Sequence, residues 1–394
     1  MRHTTDHGTT RVGFAAGVLL AAVLTLPPSL RAAEPAANSS SVSPAAHLPM
    51  IPTPIGDVPD STRAAEAAAV PFFTGAFLGD ARSNPEEIAA AIDDFSRLTG
   101  DRPSLVKTFL RLGDDFSRRG WPGRVVRSIQ ASGATNFIAL DLGGVRHGPE
   151  GLLAALAGGS ADAAIRDAAR GLGEIQGVVL VELGWEMNGD WDYGWQGAAN
   201  GANLDAPGRF VAAWRRIVDI FRAEGAANVR FVFSPNTGNP TAGAPADDTH
   251  WNWYGHYYPG DAYVDFLGIH GFNGPSVWGG PDRGFDRLFD GREMGAMLSD
   301  MESRFAKPII IGELATQESG DASKAAWIEA AYRNMLENPA VVGAVWFHMK
   351  KEADWRVDSS PESLAAYRRA VSSPRVAGTF QDVAAAVPVR LASR

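Results

Sequence analysis

Eight short apolar runs, each separated from the next by room for a crossover, constrain this chain more than anything else in it. They read FFTGAFL (72–78), LVKTFL (105–110), TNFIAL (135–140), VVLVEL (178–183), VRFVFS (229–234), VDFLGI (264–269), PIIIG (308–312) and VVGAVWF (341–347). Their starts lie 30 to 51 residues apart. Each gap is long enough for the helix and return loop that a parallel βαβ unit requires. The intervening segments carry helical signals. NPEEIAAAIDDFSRLTG offers Asn84 as N-cap, Pro85 at the first helical position and acids in the first turn. APGRFVAAWRRIVDIFRAEG places Phe210, Trp214, Ile217, Val218 and Phe221 on one face and stops at Gly225. DASKAAWIEAAYRNMLEN and SPESLAAYRRAV supply two more helices. Eight strands alternating with helices predict an α/β fold, a single closed (β/α)8 TIM barrel over residues 70–372. Periodicity alone leaves a doubly wound open sheet as the other arrangement.

The ends read differently. Val12–Leu26 is a 15-residue apolar run behind Arg2 and Arg11, broken by Pro27-Pro28. It is too short for a comfortable span and predicts a signal peptide over 1–33, hence a secreted or periplasmic protein with no membrane association after cleavage. Residues 34–69 are rich in Ala, Ser and Pro and read as a linker, and 373–394 as a C-terminal tail. Removing 1–33 takes away three Arg and one Asp, so the net charge moves from −9 to −11. An acidic chain without a basic stripe excludes nucleic acid as a partner. The absence of Cys excludes disulfides, thiolate metal sites and thiol nucleophiles. A monomer is expected.

A barrel carries its active site at the carboxyl ends of its strands. Two glutamates stand there: Glu186, just past run four, and Glu313, just past run seven. Eight of the 11 tryptophans, Trp185, Trp191, Trp195, Trp251, Trp253, Trp278, Trp346 and Trp355, lie near these strand ends or in the loops beyond. Flat rings beside carboxylates suit sugars, which present apolar C–H faces and polar rims. Glycosidic cleavage needs two opposed carboxylates, one to protonate the leaving oxygen and one to attack the anomeric carbon or activate water. At about 5 Å apart such a pair is not doubly charged cheaply.

Four segments resemble glycoside hydrolase family 26, the β-mannanase family. They are WEMNGDWDYGW (185–195), YYPGDAYVDFLGIHGFN (257–273), KPIIIGELAT (307–316) and AVWFHMKKEADWRVDSSPESLAAYR (344–368). The resemblance spans about residues 70–372. It implies a (β/α)8 barrel, a retaining mechanism, Glu186 as general acid/base and Glu313 as nucleophile. It also implies Asn188 and Trp191 near the scissile bond and Trp346 as a sugar platform. Trp185, Tyr193, Trp195 and His270 complete the expected substrate contacts. Three positions depart from the family pattern: Trp185 where His precedes the acid/base, and His270 and Phe272 where strand six carries Asp and Tyr. Phe272 lacks the hydroxyl that bonds the nucleophile, so another donor must replace it or the nucleophile is tuned differently. β-1,4-Mannan is the default substrate; xylan, mixed-linkage β-glucan and a bacterial exopolysaccharide remain open. So do transglycosylation and a non-catalytic sugar-binding barrel.

Other readings compete with these. Glu186 could instead pair with Arg111 or Arg146, and Glu182 could be the barrel-lining acid, since it shares a pleat face by parity. Trp251, Trp253 and Trp278 could pack loops, and Trp214 and Trp327 sit on helix faces as core residues. GLGEIQG (171–177) precedes a strand where a dinucleotide fingerprint would follow one, and neither a Walker A loop nor a G-x-S-x-G elbow occurs. His250 and His256 lack a third ligand at metal spacing. No cofactor and no catalytic metal are expected.

Overall fold

The computed structural model describes residues 70–79, 85–237, 247–291, 297–319 and 323–376. The expected signal peptide, the linker, the Asn84 cap and the tail past Val376 lie outside the described residues.

Eight parallel strands close into a barrel in chain order, with β1 pairing both β2 and β8. The strands are β1 (Phe73–Phe77), β2 (Leu105–Arg111), β3 (Thr135–Asp141), β4 (Val179–Leu183), β5 (Val229–Phe233), β6 (Phe266–Asn273), β7 (Ile309–Thr316) and β8 (Val341–Phe347). Closure satisfies the edge groups that an open sheet would expose, and it decides against the doubly wound alternative. Runs six and seven continue four residues past their apolar cores, so His270 and Glu313 lie within strands and not beyond them.

Helices follow the strands: α1 (Pro85–Thr99), α2 (Trp121–Ala131), α3 (Leu152–Gly158), α4 (Asp162–Gly173), α5 (Ala206–Ala223), α6 (Pro275–Trp278), α7 (Phe285–Asp290), α8 (Met297–Arg304), α9 (Lys324–Glu337) and α10 (Pro361–Val371). Ser323 and Ser360 cap α9 and α10 by accepting from the Ala326 and Ser363 amides. Trp214 and Trp327 bury their rings as helix-face residues. None of the described helices is long and apolar enough to cross a membrane.

The barrel interior is layered. Phe73, Leu105, Phe137, Leu180, Val232, Phe266, Ile310 and Val345 form its apolar plug. Because successive side chains alternate in facing, the positions two residues further on form the next inward layer. These are Gly75, Lys107, Ala139, Glu182, Ser234, Gly268, Gly312 and Phe347. This layer carries Lys107, Glu182 and Ser234 where the active site of a barrel is expected. The fold also continues past residue 372: Val376 bridges Phe72, and the Arg375 guanidinium donates to the carbonyls of Val70, Leu336 and Val341.

Candidate active site

Lys107, on β2, is fully buried and points into the barrel. Its Nζ lies 2.6 Å from Glu182 Oε2 on β4 and 2.9 Å from Glu313 Oε1 on β7. It also donates to the Gly312 carbonyl at 3.1 Å. The Glu313 contact is a buried ion pair. A lysine inside an apolar run, in phase with inward neighbours, is the signal that could have revealed Lys107.

Glu313 reaches the interior through an irregularity. Strict alternation after Ile310 would turn Gly312 inward and Glu313 out. The β6–β7 register passes from Ile269↔Ile311 to His270↔Glu313, so one residue of β7 is skipped. The shift from Ile311↔Ala344 to Leu314↔Trp346 against β8 marks the same bulge. Bulges re-aim side chains in this way.

Glu186 is placed by its loop. It sits just beyond β4 at φ +53°, two residues after Gly184 at φ +52°. A left-handed conformation at a non-glycine residue stores strain, and such sites cluster where function needs them. The loop is clamped from several sides. Glu186 N donates to Ser234 O at 2.8 Å, and Gln196 Nε2 donates to Glu186 O at 2.9 Å. Gln196 Oε1 accepts from the Trp191 and Tyr193 amides. Asn188 exchanges two hydrogen bonds with the Asn236 backbone, at 2.9 and 3.0 Å. Asn236 Nδ2 in turn donates to Glu186 Oε1 at 2.9 Å. Asn188 is therefore buried and holds the Asn236 backbone with one donor and one acceptor. Gln196 and Asn236 were not anticipated.

His270 joins the acids. Its Nδ1 is 3.1 Å from Glu186 Oε1 and its Nε2 2.9 Å from Glu182 Oε1. Nδ1 also stands 3.9 Å from Glu313 Oε2. Both nitrogens face carboxylate oxygens, which favour the doubly protonated ring, while Lys107 Nζ lies 3.2 Å from Nε2. Burial and the Lys107 charge would push its pKa down, yet Glu182 and Glu313 prevail and raise it to about 9. Burial would raise Glu182, but Lys107 and His270 beside it hold its carboxyl at about 2. Lys107 follows the same logic: burial would lower it, and Glu182 and Glu313 raise it. Ser234 Oγ adds a 2.6 Å hydrogen bond to Glu182 Oε1. Glu182 is therefore a buried counter-ion to both cations.

One oxygen of Glu186, one of Glu313 and a His270 nitrogen all lie within 4.8 Å of one another. That spacing could chelate a cation were His270 neutral, and the carboxylates around the ring favour a proton on it instead. The arrangement fits proton handling. Arg111, weighed as a partner for Glu186, faces Asp141 at 3.4 Å.

Aromatic rings wall the mouth. Trp185 packs edge-on to Phe109 and Tyr193, and Phe77 stacks on Phe347. Phe272 touches Phe347, Trp355 and Trp278 edge-on, and Trp278 stacks on Trp355 at 5.5 Å and 19°. Trp191 and Trp278 are exposed at 36% and 59%, while Tyr193 is half-buried. Two expected platforms are corrected. Trp195 is buried, stacked on Tyr193 with its Nε1 on the Trp185 carbonyl. Trp346 is 0% exposed. It alternates with inward Val345 and Phe347, so it points outward, where Trp327 and Tyr367 enclose it and Nε1 donates to Trp355 O. Trp251 is buried, and Trp253 stacks under Arg304, so both pack loops.

A (β/α)8 barrel with two glutamates facing each other at its mouth is the class that fold and site define. The model of glycosyl hydrolase family 26 matches residues 159–343. Endoglucanase H of Acetivibrio thermocellus is 36% identical over 303 residues, which is 76% of this chain. The chain spans 30% of that relative's length. Among solved structures, the catalytic domain of the family 26 endo-β-1,4-mannanase of Bacillus sp. JAMB-750 superposes with a TM-score of 0.57 at 16% identity, over 82% of this chain and 92% of that one. GH26A of Muricauda sp. MAR_2010_75 gives 0.52 at 16% identity, over 83% and 98%. The chain belongs to glycosyl hydrolase family 26.

Proposed function

We propose that this chain is a retaining β-glycosidase that cleaves a β-linked polysaccharide by double displacement. The observation that carries the reading is the approach of Glu186 and Glu313 to within 4.8 Å, oxygen to oxygen. Retaining enzymes keep their carboxyl groups about 5–5.5 Å apart, whereas inverting ones open a gap of about 6.5–9.5 Å for water.

The roles follow from which oxygens are free. Glu313 Oε1 is buried against Lys107. Oε2 is left to attack the anomeric carbon. Glu186 Oε1 already accepts from Asn236 and His270. The transferable proton therefore belongs on Oε2, which delivers it to the leaving oxygen. Water then attacks the glycosyl ester while Glu186 Oε2 takes its proton, and Glu313 is released as carboxylate.

A β-linked glucan is the favoured backbone. The relative at 36% identity is an endoglucanase, and His270 and Phe272 replace the strand-six residues that the mannanase resemblance implies. The apolar run at 12–26 supports export to where such polymers occur. The test is a screen of purified protein against β-glucans, mannan, glucomannan, xylan and the producer's exopolysaccharide. Reducing ends should appear with a β-glucan. Glu186→Gln and Glu313→Gln should each lose at least about 10²-fold in kcat while still binding the polymer. Wild-type turnover by either variant would refute the assignment, mannan cleavage would restore the default backbone, and binding without reducing ends would favour the non-catalytic barrel.

A further inference from the structure

Beneath the two glutamates lies a closed ring of buried charge that the double displacement does not itself require. Lys107 touches Glu182 and Glu313, and His270 touches Glu182 and Glu186 and stands 3.9 Å from Glu313. Lys107 Nζ and His270 Nε2 are only 3.2 Å apart. Two cations this close repel unless an anion holds both, and Glu182 does so with one oxygen on each. Gly312 leaves the space for it: a Cβ there would fall 2.5 Å from Glu182 Oε1.

Building on the proposed hydrolase, we propose that Lys107 and His270, held cationic by Glu182, act as a charge-balancing bridge that keeps a cation against whichever reacting glutamate is ionised. Charge can be followed around the cycle. The cycle begins from the form in which Lys107 and His270 are positive, Glu182 and Glu313 negative, and the general acid Glu186 holds the proton it will deliver. In the first step the Glu313–C1 bond forms, the C1–O bond breaks and the leaving oxygen takes the Glu186 proton. Glu313 is now a neutral ester and Glu186 the anion, so the net charge of the five groups is unchanged at zero. His270 reaches both glutamates and stays paired throughout. Lys107 is left facing the ester oxygen, where its charge stabilises the carboxylate that departs in the second step. Lys107, Glu182 and His270 are thus positioning residues acting through Glu186 and Glu313. The charged groups facing His270 are Lys107 from β2, Glu182 from β4, Glu186 from the following loop and Glu313 from β7.

Two readouts test this. The first is 15N NMR of histidine-labelled protein from pH 5 to 10, with the His270 resonances assigned by their loss in His270→Gln. The ring should remain doubly protonated past pH 8 in the wild type and lose its proton at least one pH unit lower in Glu182→Gln. A neutral His270 at pH 7 in the wild type, or no displacement in Glu182→Gln, would overturn the bridge. The second uses an aryl β-glycoside with a dinitrophenolate leaving group, which needs no acid assistance. Lys107→Met should slow steady-state turnover at least tenfold while the initial burst rate changes less than threefold, and intact-mass spectrometry should show the glycosyl-enzyme accumulating. Equal slowing of both phases means a merely structural lysine and refutes the proposal. Should Lys107→Met fail to fold, Glu182→Gln, which keeps the side-chain shape, is put through the same burst assay. A wild type that hydrolyses no substrate overturns the hydrolase reading and the bridge's catalytic role together. An active wild type with a neutral His270 overturns the bridge alone.

Discussion

Gly312 lies so close to His270 that a Cβ on it would fall 2.8 Å from the imidazole Nε2. The glycine stands where β7 bulges and brings Glu313 inward, so backbone, imidazole and the Glu313 carboxylate share one small volume. Gly312→Ala must push His270 or Glu182 aside. Overpacking of this kind costs about 1–3 kcal/mol. Urea unfolding should show that loss, and kcat should fall by at least about tenfold as the glutamates separate. A variant with unchanged kcat would show that the spacing at Gly312 does not matter.

Glu186 holds a left-handed backbone at φ +53°. Glycine accepts that conformation freely, whereas a residue with a Cβ is strained in it. Glu186→Gly and Glu186→Ala should be equally inactive, yet the glycine variant should be the more stable by about 1 kcal/mol. Thermal or denaturant unfolding of the two decides it. Equal stabilities would mean that the loop relaxes once the carboxylate is gone.

The buried charges predict how stability follows pH. His270 titrates near 9 in the fold against an ordinary 6.5, so its contribution is complete below about 6.5 and is lost as pH rises through 9. Glu182 titrates near 2 against 4.5, so its contribution is complete above 4.5 and is lost as pH falls through 2. Both contribute in full between about 4.5 and 6.5. Burial pushes Lys324 down to about 8, which acts in the opposite sense by destabilising the fold below that pH. Comparing Tm against pH for the wild type and His270→Gln isolates the histidine: the gap between the curves should shrink above pH 8. A constant gap would place His270 outside the titrating network.

Trp346 and Trp278 should respond oppositely to truncation. Trp346 is enclosed by Trp327 and Tyr367 outside the barrel. Trp346→Ala should cost about 3–5 kcal/mol of stability. Trp278 is 59% exposed on top of Trp355. Trp278→Ala should leave Tm nearly unchanged and raise KM for long oligosaccharides more than for short ones. A Trp278 variant with unaltered KM would remove that ring from the substrate path.

Most of the fold was legible in the chain, because strands in a parallel barrel are buried on both faces and so appear as apolar runs. The spacing of those runs located every strand among the described residues, and the helical signals between them located α1, α5, α9 and α10. The family-like segments singled out Glu186, Glu313 and His270. Strict parity would have turned Glu313 outward, but a bulge adds a residue that no periodic rule anticipates. It was not applied at Trp346, where simple alternation with Val345 and Phe347 would have turned the ring outward. Lys107 passed unremarked, since a single charge in an apolar run gains meaning only from what it faces.

Local chemistry along the chain therefore determined the elements, their order and the two acids. Only closure of the barrel decided which side chains share an interior, because residues 107, 182, 270 and 313 meet through register and pleat across strands far apart in sequence. The charges of Lys107, Glu182 and His270 set one another's protonation over distances of about 3 Å, and no sequence separation encodes such distances.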